Sequence, residues 1–306
     1  MCEPREEPAV IDRIVIPLDR SQLSESAIPF GILLARTLGS DIDYLQVIDK
    51  DNAAKAAAAE EYLSRIVDRF PPPAGHRSVV RTGDAAEAIL EASSDANAMV
   101  VMATHGYTGL RRMILGSVAD AVVRHARVPI ALIRNDDKFR LPQEGINRLL
   151  VPLDGSDRST HALPIAIEIA GASQASLDLL HVIVPVSVGE LGAGIEPGYI
   201  PPEVYGSMMD ELETVAHEDL RAAAESCQQA GVNATMYSPV GTPADSIFHL
   251  AEETNADAIV MSTHGRGGAS RVLMGSVATS IIHRSHVPVI VVPAAHVAPE
   301  ADQPAS

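Results

Sequence analysis

The residues of this chain best suited to chemistry lie in two glycine-rich turns. Gly106 and Gly116 are separated by nine residues and followed by Ser117, and Gly265 and Gly275 keep that spacing ahead of Ser276. A Gly-Ser pair opening a helix offers unobstructed backbone N–H groups, a hydroxyl and the positive end of the helix dipole, which is the chemistry of a phosphate site. Asp19 and Asp154 each follow an apolar run. A carboxylate there can accept hydrogen bonds from an adenine amino group or ribose hydroxyls; the competing reading is an N-cap for the next helix. Arg112 and Arg271 hold matching places in the two loops, either reaching phosphate oxygens or standing as solvated surface residues. His105 and His264 sit in Thr-His-Gly. With no matched Ser or Cys nucleophile they read as groups that orient the loop rather than catalytic ones. Gly83 and Gly241 let a neighbouring loop approach a ligand, or simply turn the chain. No glycine loop ending in Gly-Lys-Ser/Thr occurs, and no Gly-x-Gly-x-x-Gly follows either first strand, so a nucleotide would be held mainly by backbone.

These residues recur because the chain is duplicated. The segment from Ile14 (IVIPLDRS) returns at Leu149 (LLVPLDGS), and MATHGYTGLRRMILGSVAD from Met102 returns as MSTHGRGGASRVLMGSVAT from Met261. Matching positions are 135 residues apart at Asp19 and Asp154 but 159 apart at Gly116 and Gly275, so 159 − 135 = 24 extra residues lie in the second copy, around Pro185 to Asp210. That insertion, with Gly189, Gly192, Gly194, Pro197, Gly198, Pro201 and Pro202, reads as a mobile lid or docking loop.

Each copy alternates strands with helices. In the first, apolar runs predict strands over Arg13–Leu18, Tyr44–Ile48, Ser78–Arg81, Met99–Ala103 and Ile130–Ile133. Between them fall a helix capped by Ser24 and running to Leu38, one over Asn52–Phe70 stopped by Pro71, Pro72 and Pro73, one over Ala85–Ser94 and one over Ser117–Arg124. The second copy places strands at Leu149–Pro152, Leu177–Val182, Ala234–Tyr237, Ala258–Ser262 and Val289–Val292. Such an order demands right-handed crossovers and a doubly wound, five-stranded parallel sheet in each copy, with ligand sites beyond the carboxyl ends of the strands. Domains are expected at 10–135 and 146–294, joined by a short polar linker, Asn135 to Asn147, with a disordered Ala/Pro-rich tail at 295–306. The last strands, PIALI and PVIVV, are apolar without alternation; left as sheet edges they invite aggregation, so pairing them across the two domains is the simple solution.

Composition narrows the function. The 306 residues suit about two domains, and 46% hydrophobic with 21% charged residues and no Trp suits aliphatic, helix-covered parallel sheets. A net charge of −17 opposes nucleic acid and anionic lipid surfaces. Cys2 and Cys227 form neither a disulfide framework nor a metal-ligand pair. The start shows no signal-peptide pattern and no stretch is long and apolar enough for a membrane span, so a cytoplasmic location is expected.

On these residues the chain resembles the universal stress protein family over nearly its whole length, in its two-domain form. The family's ATP-binding members share Gly, two residues, Gly, nine residues, then Gly with Ser or Thr. Its second and third glycines and hydroxyl fall on Gly106, Gly116 and Ser117, and on Gly265, Gly275 and Ser276; its first glycine is Ala103 in one copy and Ser262 in the other. Its adenine-contacting Asp matches Asp19 and Asp154, and its Val at the end of strand two matches Val47 and Val182. The resemblance implies two tandem Rossmann-like domains of the adenine nucleotide alpha hydrolase type, with strand order 3-2-1-4-5. It also implies dimerisation through strand five, which a tandem chain can satisfy internally as a pseudo-dimer, a homodimer remaining open.

The resemblance further implies a soluble ATP-binding regulator of the stress response, with Mg2+ left open as a companion of the phosphates, whose conformation a partner protein senses. The rival readings are a slow ATP hydrolase or phosphotransferase on the same site and a nucleotide-free interaction scaffold. Phosphoryl transfer needs a positioned base or water-orienting group and concentrated positive charge, for which only His105, His264, Arg112 and Arg271 are in place. The copies differ at Asp19-Arg20-Ser21 and Asp154-Gly155-Ser156, so one tight and one weak site are expected.

Overall fold

The computed structural model describes residues 11–49, 53–95, 97–104, 115–134, 138–185, 202–263 and 274–293. Its first half runs β1 (Arg13–Pro17), α1 (Gln22–Glu25), α2 (Ile28–Leu38), β2 (Asp41–Ile48), α3 (Ala53–Arg69), β3 (His76–Thr82), α4 (Ala85–Ala92), β4 (Ala98–Ala103), α5 (Ser117–His125) and β5 (Ile130–Ile133). The second half repeats this as β6 (Arg148–Leu153), α6 (Asp157–Thr160), α7 (Ala162–Ser173), β7 (Ser176–His181), α8 (Pro202–Gln229), β8 (Ala234–Tyr237), α9 (Pro243–Glu253), β9 (Ala258–Ser262), α10 (Ser276–Arg284) and β10 (Val289–Val292). The ten strands form one sheet in the order β3-β2-β1-β4-β5-β10-β9-β6-β7-β8, so each half has the expected 3-2-1-4-5 arrangement.

The halves are joined as the composition of their last strands requires. Every residue of β5 and β10 is buried, and the two strands pair antiparallel with Ile290 opposite Ala131. Each apolar edge thereby satisfies the ladder groups of the other. Helices cover both faces, building two apolar layers that each draw on both halves. One joins Phe30, Leu34 and Tyr44 to Ile165, Ile169 and Leu220. The other joins Val100, Val122 and Leu132 to Ile259, Ile281 and Val291. Burying each such side chain stabilises the fold by roughly 1.5–3 kcal/mol. Polar contacts lock the joint as well: the Ile11 N–H donates to Glu168 Oε1 at 2.5 Å, and the Arg140 N–H to the His286 carbonyl at 2.7 Å.

Two local expectations change. Ser24 does not cap the first long helix; it is buried inside the one-turn α1, whose N-cap is Ser21, and α2 starts afresh after Ala27 with Pro29 in its first turn. The insertion of the second half is not loop throughout, because from Pro202 the chain is already in α8, which has 28 residues against 17 in α3. The expected tail at 295–306 lies outside the described residues.

Candidate functional site

In each half the strand order reverses direction between strands one and four, β1 and β4 in the first and β6 and β9 in the second. Their carboxyl ends therefore open a crevice between diverging connections. Asp19 closes β1 with a tight turn. Its Oδ1 accepts the Ser21 N–H at 2.9 Å and the Ser21 hydroxyl, and Ser21 Oγ in turn accepts the Ser24 N–H at 3.0 Å, capping α1. Asp154 repeats this: Oδ1 accepts the Ser156 N–H at 3.1 Å and hydroxyl at 2.6 Å, while Ser156 Oγ accepts the Ser159 N–H at 3.2 Å. Neither aspartate is itself the cap; each holds the serine that is. The residue between is left-handed in both copies, Arg20 at φ 69° and Gly155 at φ 73°. Arg20 lies 5.7 Å from the centre of the Tyr62 ring, and the Tyr62 hydroxyl donates to Glu25 at 3.1 Å.

The glycine-serine pairs start helices as expected. Gly116 and Gly275 are the N-caps of α5 and α10, and among the described residues no side chain caps either helix. The glycine N–H groups are committed: Gly116 donates to the Thr104 carbonyl at 2.8 Å and Gly275 to that of Thr263 at 3.0 Å, tying each helix start to the end of strand four. The first helical bonds run from Asp120 to the Gly116 carbonyl and from Thr279 to that of Gly275. The N–H groups of Ser117, Val118 and Ala119, and of Ser276, Val277 and Ala278, thus stand outside the helical ladders, aimed along the dipole. The copies differ in charge here. Asp120 sits in the first turn of α5 with Arg124 at 2.8 Å, where α10 has Thr279.

The other expected residues fall around these turns. Val47 and Val182 are half-buried at the end of strand two and pack into the layer beside α4 and α9. Ala103 and Ser262 are buried as the last residues of β4 and β9, paired with Ile133 and Val292. Neither has positive φ, so a side chain at the place of the first glycine distorts no backbone. Gly83 has φ 124° and donates to the Ile48 carbonyl at 3.1 Å, a turn only glycine adopts freely; Gly241 makes the matching bond to Ile183 at 2.9 Å without positive φ. His105, Gly106, Arg112, His264, Gly265 and Arg271 lie outside the described residues.

Sequence reasoning missed two buried aspartates. Asp43 in β2 receives Arg77 through two hydrogen bonds of 2.8 and 2.6 Å, with Arg13 at 4.0 Å. Asp178 in β7, with no exposed surface, receives Arg148 at 3.1 and 3.3 Å. An acid at the same register of an apolar strand in both copies, with an arginine opening each first strand, was the available signal. These pairs lie near the amino ends of the strands, and the first borders a groove of about 690 Å³ along β3, away from the crevice. Among the described residues no three His, Cys, Asp or Glu side chains converge on a metal position, and no helix is long and apolar enough to cross a membrane.

Residues 11–134 and 145–293 match the universal stress protein family. Universal stress protein Rv2005c of Mycobacterium tuberculosis is 31% identical over 203 residues, which cover 66% of this chain and 64% of that protein. The chain thus spans just under two thirds of the length of this relative. Universal stress protein Rv2623 of the same organism is 30% identical over 226 residues, 73% of this chain and 70% of its own. A solved universal stress protein from Archaeoglobus fulgidus superposes with a TM-score of 0.67 at 22% identity, covering 92% of this chain and 98% of that one, a likeness of fold.

Proposed function

Because the chain belongs to the universal stress protein family, we propose that it binds an adenine nucleotide, ATP, at the carboxyl ends of its strands and serves as a stress-response regulator whose bound state a partner protein reads. The observation that carries this reading is the pair of helix starts that no described side chain caps, each with three N–H groups outside the helical ladder, one strand away from an aspartate turn. Phosphates suit those N–H groups, the base suits Val47 and Val182, and the ribose or adenine amino group suits Asp19 and Asp154. Mg2+, where present, would arrive with the phosphates.

The two sites differ in strength. Asp120 in the first turn of α5 opposes a phosphate, and Asp19 is exposed, whereas α10 carries Thr279 and Asp154 is half-buried. The second half is therefore the tighter site.

Calorimetric titration of ATP into nucleotide-stripped protein tests this, with Ser117→Glu and Ser276→Glu as variants. Both serines are exposed first-turn residues, so a glutamate there suits the helix dipole while repelling phosphate. Ser276→Glu is expected to weaken the tighter site by about tenfold or more, and Ser117→Glu the weaker one. Absence of saturable binding to the wild type would refute the nucleotide reading and leave the family and fold untouched.

A further inference from the structure

Among the described residues, the second half carries an apolar surface that the first half lacks. Six large hydrophobic side chains are exposed among the described residues, Val184, Val204, Tyr205, Val215, Met236 and Val240, and all belong to the second half. Three sit on α8. This helix lies on the sheet through Ala216, Leu220, Ala223 and Cys227, all buried, while every residue from Glu203 to Val215 is exposed or half-buried. In α3 the first buried residue is Ala59, six positions after the helix start; in α8 it is Ala216, fourteen after. The start of α8 therefore overhangs by eight residues more than its counterpart, about 12 Å of helix.

The overhang keeps the amphipathic pattern of a packed helix. Tyr205, Met208, Met209 and Leu212 continue the spacing that leads into Ala216 and Leu220. Since α8 runs back against the parallel strands, its start lies at the carboxyl ends of β7 and β8. Val184 and Val240 lie there too, next to the bridge between Ile183 and Val240. The rim is acidic. Glu203, Asp210, Glu211, Glu213 and Glu218 are exposed, and within α8 no Lys or Arg occurs before Arg221.

We propose that the overhanging start of α8, with Val184 and Val240 beside it, docks a basic amphipathic helix of a partner protein. An apolar face on the partner would cover Tyr205, Met208 and Leu212, whose flexible methionine adapts to varied side chains. Its flanking Lys and Arg would meet the carboxylates of the rim. Charge decides the occupant: a second copy would bring the same acids against this rim, in a chain of net charge −17. The surface shares the strand ends that carry Asp154 and Val182, so a docked partner would border the second candidate ligand site. Docking itself does not depend on the nucleotide reading.

Fluorescence anisotropy of a labelled Leu/Lys amphipathic model peptide, with a Leu/Glu peptide of the same pattern as control, tests the proposal on the full chain. Saturable binding of the Lys peptide alone is expected. The double variant Val204→Glu/Tyr205→Glu should weaken it about tenfold. Glu211→Lys/Glu213→Lys, which leaves the apolar stripe intact, should weaken it comparably, and Glu60→Lys/Glu61→Lys on α3 should leave it unchanged. Binding that survives Val204→Glu/Tyr205→Glu, or falls equally in the α3 variant, is diffuse attraction to an acidic chain and overturns the proposal. Failure of the wild type to bind the Lys peptide overturns it as well, as does a wild-type dimer in sedimentation that Val204→Glu/Tyr205→Glu splits, since the occupant is then a second copy.

Discussion

Arg148 at the start of β6 donates to both carboxylate oxygens of Asp178, which has no exposed surface in β7. Removing the acid leaves a partly buried guanidinium without its counter-charge. Asp178→Ala is therefore expected to lower stability by about 3 kcal/mol, read as a fall in the urea midpoint at unchanged slope. The double variant Asp178→Leu/Arg148→Met should lose much less, because it removes both charges together. Equal losses would show that the site needs the acid for its shape.

A pH effect follows from the joint between the halves. Burial pushes the Glu168 carboxyl above its usual range, opposed in part by the Ile11 N–H it accepts. The native state then holds this proton more tightly than the unfolded chain does. Its contribution to stability is present in acid and is lost as pH rises from the ordinary glutamate value through the raised native one. Glu168→Gln keeps an acceptor for Ile11 without the titration, so it should exceed the wild type in stability at neutral pH and approach it in acid. A glutamine variant weaker than wild type at neutral pH would show that the charge on the Ile11 bond outweighs its desolvation.

The aspartate turns offer a matched backbone comparison. Gly155 occupies at φ 73° the conformation that Arg20 holds at φ 69°. Gly155→Ala should cost about 1 kcal/mol in thermal or urea unfolding, since an L side chain is disfavoured there. Arg20→Gly should be nearly neutral, because relief of that conformation is offset by greater freedom of the unfolded chain and loss of the Tyr62 contact. A large gain from Arg20→Gly would contradict this balance.

Cys227 is fully buried on α8, and burial pushes its thiol up to about 11. Thiolate at pH 8 is then roughly a thousandth of the total, behind a closed surface. In a Cys2→Ser background, a thiol reagent should label no group until denaturant is added. Prompt labelling of the native protein would mean that α8 lifts from the sheet.

The strands and helices could be read from the chain because their causes are local. Alternation of apolar runs with amphipathic stretches, and the repeat of LDRS as LDGS, determine two doubly wound halves, and the unalternating PIALI and PVIVV call for a joint between them, whose antiparallel sense only the tertiary structure decided. The glycine-serine helix starts were legible for the same reason, since a cap is a property of neighbours in sequence. What only the tertiary structure decided depends on partners distant in the chain. Ser21 rather than Ser24 caps α1 because Asp19 folds back to hold it. Asp43 and Asp178 are tolerated inside apolar strands because Arg77 and Arg148 arrive from neighbouring strands. Proline and glycine around 185–210 suggested a loop, yet helix claims the chain from Pro202, because the apolar spacing that seats α8 on the sheet extends unbroken toward its start. Short-range chemistry thus determined the elements and the places where ligands could meet them, while pairing across the sheet decided which buried charges, caps and overhanging surfaces the fold could keep.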